Sequence, residues 1–243
     1  MYAFFSGLTE LLQSPLEFLQ TLLYRVPATL IALILHEWAH GYVAYRLGDP
    51  TAKMMGRLSL NPLHHLDPLG TVLLFLAGFG WAKPVPVDPR YFKHKHRDDL
   101  LVSVAGITMN LLLFLAFYTL YYAVLRVAVS NGYLALWRGS FYYAQEKSAV
   151  FDYVITLLQY TAALNLSLAV FNLLPVPPLD GSHLFNDLFL KKSLFVSRTI
   201  ARYGTGVVML LSLTGLLGKG LGFVTNAAMS GLDALLMRVF FGA

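Results

Sequence analysis

Long apolar stretches alternate with short polar ones along this chain, and the apolar stretches have the length of membrane helices. The strongest run from about Leu19 to Tyr45, from Leu100 to Val129 and from Ala149 to Leu174. Each exceeds the roughly 20 residues that an α-helix needs to cross a bilayer. Two more, about Tyr203 to Leu217 and Leu221 to Phe241, indicate one or two further helices. The pattern predicts an all-α polytopic membrane protein with about five to six membrane segments.

The part of the chain between the first two long stretches has a different pattern. Leu69 to Ala82 is apolar but too short and too rich in glycine to span a bilayer, so we expect a re-entrant or hairpin element there. Lys83 to Pro89 alternates in side-chain character, but its prolines lack the N–H donor that a central strand needs. This segment is predicted to be either an edge strand that binds another extended chain or a proline-stiffened connector.

The composition agrees with a membrane location and excludes several classes of protein. Hydrophobic residues make up 57% of the chain and charged residues only 13%. The net charge is +5, but the cations lie in short loops between apolar stretches, so we expect the lipid bilayer and no nucleic acid as a partner. The absence of cysteine excludes a disulfide framework, a thiol nucleophile and cysteine-ligated zinc.

The first long apolar stretch contains an H-E-x-x-H motif, His36-Glu37-Trp38-Ala39-His40. Residues i and i+4 share one face of a helix, so both imidazoles can reach one metal ion. Glu37 then lies beside the open metal position, where it can act as general base toward a metal-activated water. Burying these groups in a membrane helix is costly without a functional partner. The motif predicts a membrane-buried zinc hydrolase; the alternative is a pair of interface histidines beside a snorkelling Glu.

Asp180 is the other acid that stands out among the apolar stretches, and it follows Pro175-Val176-Pro177-Pro178. It could supply the third ligand of a catalytic zinc, or it could belong to an Asx-type turn. Eight Lys and Arg residues lie within 46–97 and four within 191–202, whereas three flank the polar connection 130–148. The positive-inside rule therefore predicts that His40 and Asp180 lie in the same, cytoplasmic half of the membrane.

The combination of three segments resembles the site-2 protease family of intramembrane metalloproteases, in order and in spacing. The segments are His36 to His40, Ala105-Gly106-Ile107-Thr108-Met109-Asn110, and Asn172-Leu173-Leu174-Pro175-Val176-Pro177-Pro178-Leu179-Asp180-Gly181. Residues 61–70 and 80–87 are similar to the compact prokaryotic branch, which lacks PDZ-like and nucleotide-sensing domains. The resemblance covers roughly residues 20–190. It implies one membrane-embedded domain over 1–243, with accessory helices at about 198–241.

The resemblance also implies a set of functional residues. In a three-helix catalytic core, His36, His40 and Asp180 would bind one zinc ion per chain, and Glu37 would activate water. Asn110 and Asn172 match family positions near the cleft, and we expect them to position the substrate or stabilise the carbonyl oxyanion. A hairpin or extended element is expected to receive a transmembrane substrate as an added strand; its candidate residues are Trp81, Lys83, Pro84, Val85, Pro86 and Val87.

Several features leave other interpretations open. Ile107 replaces the proline that usually follows glycine in this family, which is expected to alter local helix kinking. A metal transporter could use the same three ligands as a transient site, and a catalytically silent homologue could hold transmembrane clients. The other histidines lie in or next to polar segments, so we expect solvent-facing or interfacial positions for them; they are His64, His65, His94, His96 and His183. The resemblance implies the membrane of a prokaryotic cell as the location.

Overall fold

The protein is built almost entirely from helices. The computed structural model describes residues 6–77, 80–137, 139–144, 148–186, 188 and 198–242. In chain order the helices are α1 (Ser6–Gln13), α2 (Pro15–Arg46), α3 (Thr51–Met54), α4 (Pro68–Ala77), α5 (Lys95–Ser130), α6 (Ala149–Asn172), α7 (Asp180–Phe185), α8 (Arg198–Leu213) and α9 (Leu216–Phe241). Among the described residues, α2, α5, α6 and α9 are long and apolar enough to cross a membrane. This confirms the prediction of an all-α polytopic membrane protein.

Helices α2, α5 and α6 pack against one another and form the centre of the molecule. Their buried surfaces include small residues such as Ala28 and Ala32 of α2 and Ala162 and Ala169 of α6, all with no exposed surface. Small side chains let membrane helices approach closely, which partly replaces the hydrophobic driving force that is missing between helices in lipid. The predicted three-helix core is therefore present.

A short β-hairpin lies at the end of α5 that is remote from the H-E-x-x-H motif. It pairs β1 (Leu134–Trp137) with β2 (Ser140–Tyr143) in antiparallel register, and the turn contains Gly139 at a φ of +78°. Leu134 packs against Leu125 and Ala128 of α5. The sequence pattern indicated only a polar connection here, because four-residue strands carry little periodicity and depend on packing against a neighbouring helix.

Helix α4 and the residues after it occupy the stretch for which a re-entrant or hairpin element is predicted, and residues 78–79 of this stretch lie outside the described part. The chain returns to the start of α4, where Leu66 and Ala82 form an isolated antiparallel bridge and the Lys83 N–H donates to the His65 carbonyl (2.8 Å). Residues 83–88, here called the 83–88 segment, belong to no helix or strand ladder. The element is thus a short helix with a non-helical return.

The last two helices, α8 and α9, pack against each other, and α9 also contacts α5 and α6. Gly215 separates them in the left-handed conformation (φ +72°). The last helix therefore begins at Leu216, five residues earlier than the sequence pattern indicated. The Asp233 carboxylate of α9 accepts hydrogen bonds from the hydroxyls of Tyr118 and Tyr122 on α5. This contact fastens an accessory helix to the core.

Candidate metal centre

The two histidines of the H-E-x-x-H motif and Asp180 converge in the structure. His36 and His40 lie one turn apart on α2 with their Nε2 atoms 3.0 Å apart, and Asp180 is the first residue of α7. The Oδ2 atom of Asp180 lies 3.4 Å from Nε2 of His36 and 3.3 Å from Nε2 of His40. Among the described residues, these three form the group of His and acidic side chains close enough to hold a metal ion.

The three ligand atoms fit a tetrahedral ion. Zinc binds imidazole nitrogen and carboxylate oxygen at about 2.0–2.2 Å, which places neighbouring ligand atoms about 3.3 Å apart. The observed separations of 3.0, 3.3 and 3.4 Å match this value. Oδ2 of Asp180 is buried and accepts no hydrogen bond. A buried carboxylate oxygen that accepts no hydrogen bond is costly, and a cation between the three side chains would remove that cost.

One face of α5 supports both imidazole rings. Nδ1 of His40 is 2.8 Å from the Val102 carbonyl oxygen, and Nδ1 of His36 is 3.2 Å from the Asn110 side-chain amide. Contacts at the far ring nitrogen fix the orientation of a metal-binding histidine. Gly106 lies between these two positions, and a Cβ atom there would come within 2.6 Å of Cε1 of His36. Glycine is therefore required where α5 approaches the histidines.

The position that departs from the family pattern causes no break in this helix. Helix α5 is continuous from Lys95 to Ser130, and the side chain of Ile107 is buried with only 4% of its surface exposed. Val102, Gly106 and Asn110 keep their spacing of one helical turn along the metal centre. The contacts from α5 to the histidines are therefore present with Ile107 in place.

A cavity of about 570 Å³ opens beside the three ligands and is partly lined by Glu37. Oε2 of Glu37 accepts a hydrogen bond of 2.8 Å from the backbone N–H of Val85. Gly41 allows this close approach, because its missing side chain leaves room for Cγ1 of Val85, which a Cβ atom at Gly41 would meet at 3.0 Å. The predicted base and the 83–88 segment therefore meet directly in the cavity.

The predicted substrate-binding residues fall into two groups. Pro84, Val85, Val87 and Asn172 line the cavity. Asn172 is the last residue of α6, and its Nδ2 donates to the Leu168 carbonyl one turn earlier (3.0 Å). The remaining predicted residues do not line the cavity: they are Trp81, Lys83, Pro86 and Asn110. Of these, Asn110 is completely buried behind His36 and contacts the ring rather than the cavity.

Charged side chains at the cavity edge were not singled out by the sequence pattern. Arg90 lines the cavity, and its guanidinium donates to the Asp88 carboxylate, which lowers the pKa of Asp88 below its ordinary value. Nδ1 of His183 lies 3.2 Å from Oδ2 of Asp99, and both residues also line the cavity. These groups place polar side chains in the same cavity as His36, His40 and Asp180.

Sequence reasoning also missed three buried polar residues in the loop after α2. Asp49, Arg57 and His65 are 0%, 9% and 0% exposed, and all three hold the 83–88 segment or the residues beside it. The expectation that His65 faces solvent or an interface is wrong, because its ring is enclosed and its Nε2 lies 2.6 Å from the Ser59 carbonyl oxygen. A polar residue in a loop gives no sign from sequence that the loop will fold over it.

A pair of histidines and a distant aspartate, held between membrane helices beside a glutamate, defines the class of intramembrane metallopeptidases. Residues 26–213 match the model of Peptidase family M50. Because the match covers more than half of the chain, the chain belongs to this family, the site-2 protease family of intramembrane zinc metalloproteases. Family membership favours the hydrolase over the transporter and the silent binding protein.

Two bacterial relatives support this assignment. The chain is 38% identical over 218 residues to the candidate zinc metalloprotease YwhC of Bacillus subtilis, and the match covers 89% of this chain and 92% of YwhC. It is 31% identical over 172 residues to Rip2 of Mycobacterium tuberculosis, also a candidate zinc metalloprotease, covering 69% of this chain and 58% of Rip2. No solved structure is a significant match.

Proposed function

We propose that this chain hydrolyses peptide bonds within or near transmembrane segments of membrane proteins, with one zinc ion held by His36, His40 and Asp180. The observation that carries the proposal is the convergence of these three ligand atoms in a cavity that Glu37 also lines. Zinc bound there would supply Lewis acidity, which lowers the pKa of a coordinated water and polarises a carbonyl group.

Glu37 is proposed as the general base. Its carboxylate lies in the cavity next to the ligand pair, where it can take a proton from the attacking water and return it to the leaving nitrogen. Asn172 is proposed to stabilise the developing oxyanion. Its Nδ2 has two N–H groups, of which one is donated to the Leu168 carbonyl, so the second can be donated to a substrate oxygen in the cavity.

For Asn110 the contact with His36 favours a positioning role over substrate contact. A histidine that binds metal through Nε2 carries its proton on Nδ1 and donates it. Oxygen and nitrogen of an amide are assigned from the hydrogen-bond network. With Oδ1 of Asn110 turned toward His36, Nδ1 has an acceptor, and the buried Oδ1 gains the partner that it otherwise lacks.

The substrate is proposed to bind along the 83–88 segment as an added strand. A transmembrane helix satisfies all its backbone hydrogen bonds internally, so its scissile bond becomes accessible only after local unwinding. An added strand recovers part of the lost hydrogen bonding. Val85 and Val87 line the same cavity as the metal ligands, which supports this binding site.

The chain is proposed to reside in the cell membrane of a prokaryote with its metal centre toward the cytoplasm. The relatives named above are bacterial. The cation-rich loops after α2 and before α5 lie at the end of the bundle that holds the metal centre, whereas the hairpin lies at the other end. The positive-inside rule assigns the first of these ends to the cytoplasm.

Substitution of the base tests the proposed function. Purified wild-type protein, Glu37→Gln and the control Glu17→Gln, which changes an exposed acid of the same helix, would be compared for zinc content and for cleavage of a helix-destabilised transmembrane peptide. We expect about one zinc per chain in all three, with cleavage about 10²- to 10⁴-fold slower in Glu37→Gln only. Absence of zinc in the wild type, or equal cleavage by Glu37→Gln, would contradict the proposal.

A further inference from the structure

The 83–88 segment has no strand ladder to hold it, yet it lies directly beside the metal centre. Pro84 and Pro86 cannot donate hydrogen bonds to a neighbouring strand. The backbone of this segment is held by side chains from elsewhere in the fold, together with the main-chain hydrogen bond from the Lys83 N–H to the His65 carbonyl. A segment that must receive a substrate in one register requires a fixed position, so the residues that hold it determine that position.

Arg57 holds the first part of the segment. Its Nη2 donates to the carbonyl oxygen of Lys83 at 2.7 Å and to that of Pro84 at 3.2 Å. The residue is 9% exposed, and its Nε is buried without a hydrogen-bond partner. Burying a guanidinium is costly unless it is well hydrogen-bonded. The hydrogen bonds to the two carbonyl oxygens therefore provide most of the stabilisation of this buried cation.

Asp49 holds the other end. Its carboxylate is completely buried, and Oδ2 accepts a hydrogen bond of 2.7 Å from the Asp88 N–H, while Oδ1 accepts from the Thr51 N–H at 2.9 Å. Asp49 and Arg57 flank α3 in the loop that follows the H-E-x-x-H helix. One loop therefore holds the segment at both ends: Arg57 donates to two carbonyl oxygens at the start, and Asp49 accepts from an N–H at the end.

Between the contacts with Arg57 and Asp49, the segment faces the cavity. The Val85 N–H donates to Glu37, and the Val87 N–H donates to no backbone carbonyl in the described part of the chain. A displacement of Lys83 and Pro84 would shift both valines relative to the metal ligands. Misplacement of reacting groups by about 1 Å can cost about 100-fold in rate.

We propose that Arg57 is a positioning residue that sets the register of the substrate strand on the 83–88 segment and thereby selects the bond that is cleaved. The proposal rests on the strand addition proposed above. Arg57 acts through the backbone of Lys83 and Pro84 and touches neither zinc nor substrate. Its removal should therefore alter which bond reaches the metal centre while leaving the metal ligands intact.

The distribution of cleavage products tests this role. Wild-type protein, Arg57→Met, Arg57→Lys and the control Lys53→Met, which changes an exposed cation of the same loop, would be given one transmembrane peptide. Zinc content, kcat, KM and the masses of all products would be measured. We expect unchanged zinc in all four, a kcat/KM about 10- to 100-fold lower in Arg57→Met with cleavage at several neighbouring bonds, and partial recovery in Arg57→Lys.

A purely structural role for Arg57 predicts a different result. Loss of folded protein would lower the apparent kcat but would leave KM and the set of products unchanged, and that outcome would overturn the proposal. Changed products in Lys53→Met would also overturn it, because the effect would then not depend on the contacts of Arg57.

A cross-linking experiment separates failure of this inference from failure of the proposed function. The chain has no native cysteine, so Val87→Cys in the Glu37→Gln background can be oxidised against single cysteines moved along the peptide. We expect one dominant cross-linked position with Arg57 present and several with Arg57→Met. Equal patterns would overturn the role of Arg57, and no cross-link at all would overturn strand addition with it. One dominant cross-linked position, together with no cleavage of the peptide by the wild-type protein, would overturn the proposed hydrolase activity alone.

Discussion

The backbone N–H of Val85 donates a 2.8 Å hydrogen bond to Oε2 of Glu37, which joins the proposed substrate-binding segment to the proposed general base. The two residues are 48 positions apart in the chain. A substrate strand that binds beside Val85 would therefore arrive next to the carboxylate that acts on its scissile bond. The proposed steps of substrate binding and proton transfer would then be linked through one main-chain contact.

Asp180 should be necessary for metal binding. Asp180→Ala removes one of three protein ligands, so we expect a marked loss of zinc, measured by elemental analysis after dialysis against a weak chelator. Asp99→Ala is the matched control, because Asp99 lines the same cavity but pairs with His183. Equal zinc content in Asp180→Ala and wild type would remove Asp180 from the site.

Asn110 should affect zinc affinity although it is not a ligand. Loss of a side chain that orients a metal-binding histidine typically weakens metal binding about 10- to 100-fold, and we expect this for Asn110→Ala in competition with a chelating dye. Asn165→Ala removes another completely buried asparagine, whose Nδ2 donates within α6 to the Thr161 carbonyl. It should lower thermal stability without changing zinc affinity. The same zinc affinity in both variants would contradict the positioning role of Asn110.

Gly106 should tolerate no side chain. In Gly106→Ala the new Cβ would lie 2.6 Å from Cε1 of His36 and 2.7 Å from Cε1 of His40, so α5 or the rings must move and zinc occupancy should fall. Gly206→Ala in α8 is the control, since a Cβ there meets nothing within 4 Å. Replacing a helical glycine with alanine otherwise stabilises a helix by about 0.5–1 kcal/mol. Full zinc occupancy in Gly106→Ala would show that the two helices can separate without cost.

The contact between α5 and α9 should contribute to stability rather than to catalysis. Tyr122→Phe removes a hydroxyl that donates to Asp233, and we expect about 1 kcal/mol of lost stability with unchanged zinc content. Tyr121→Phe changes the adjacent tyrosine, which does not donate to Asp233, and should have a smaller effect. The midpoint of thermal unfolding in detergent measures both. Equal midpoints would indicate that this hydrogen bond contributes nothing net.

Only part of the candidate metal centre could be inferred from the sequence pattern. His36 and His40 could be paired because helical spacing places residues i and i+4 on one face. Asp180 had an equally good local explanation as a turn residue, and its proposed ligand role was implied by the resemblance to the site-2 proteases. The contact of Asn110 with His36 could not be inferred from pattern, because it depends on the rotation of α5 against α2.

The hydrophobic pattern was enough to establish the membrane helices and the location of the histidine pair, because both depend on local period and length. The positions of Asp49, Arg57 and the 83–88 segment were decided only by tertiary structure. The hydrogen bonds from Asp49 and Arg57 to the 83–88 segment join residues that are 26 to 39 positions apart, across loops with no periodicity. Local sequence records which side chains can form such bonds, whereas the packing of α2, α5 and α6 determines which of them meet.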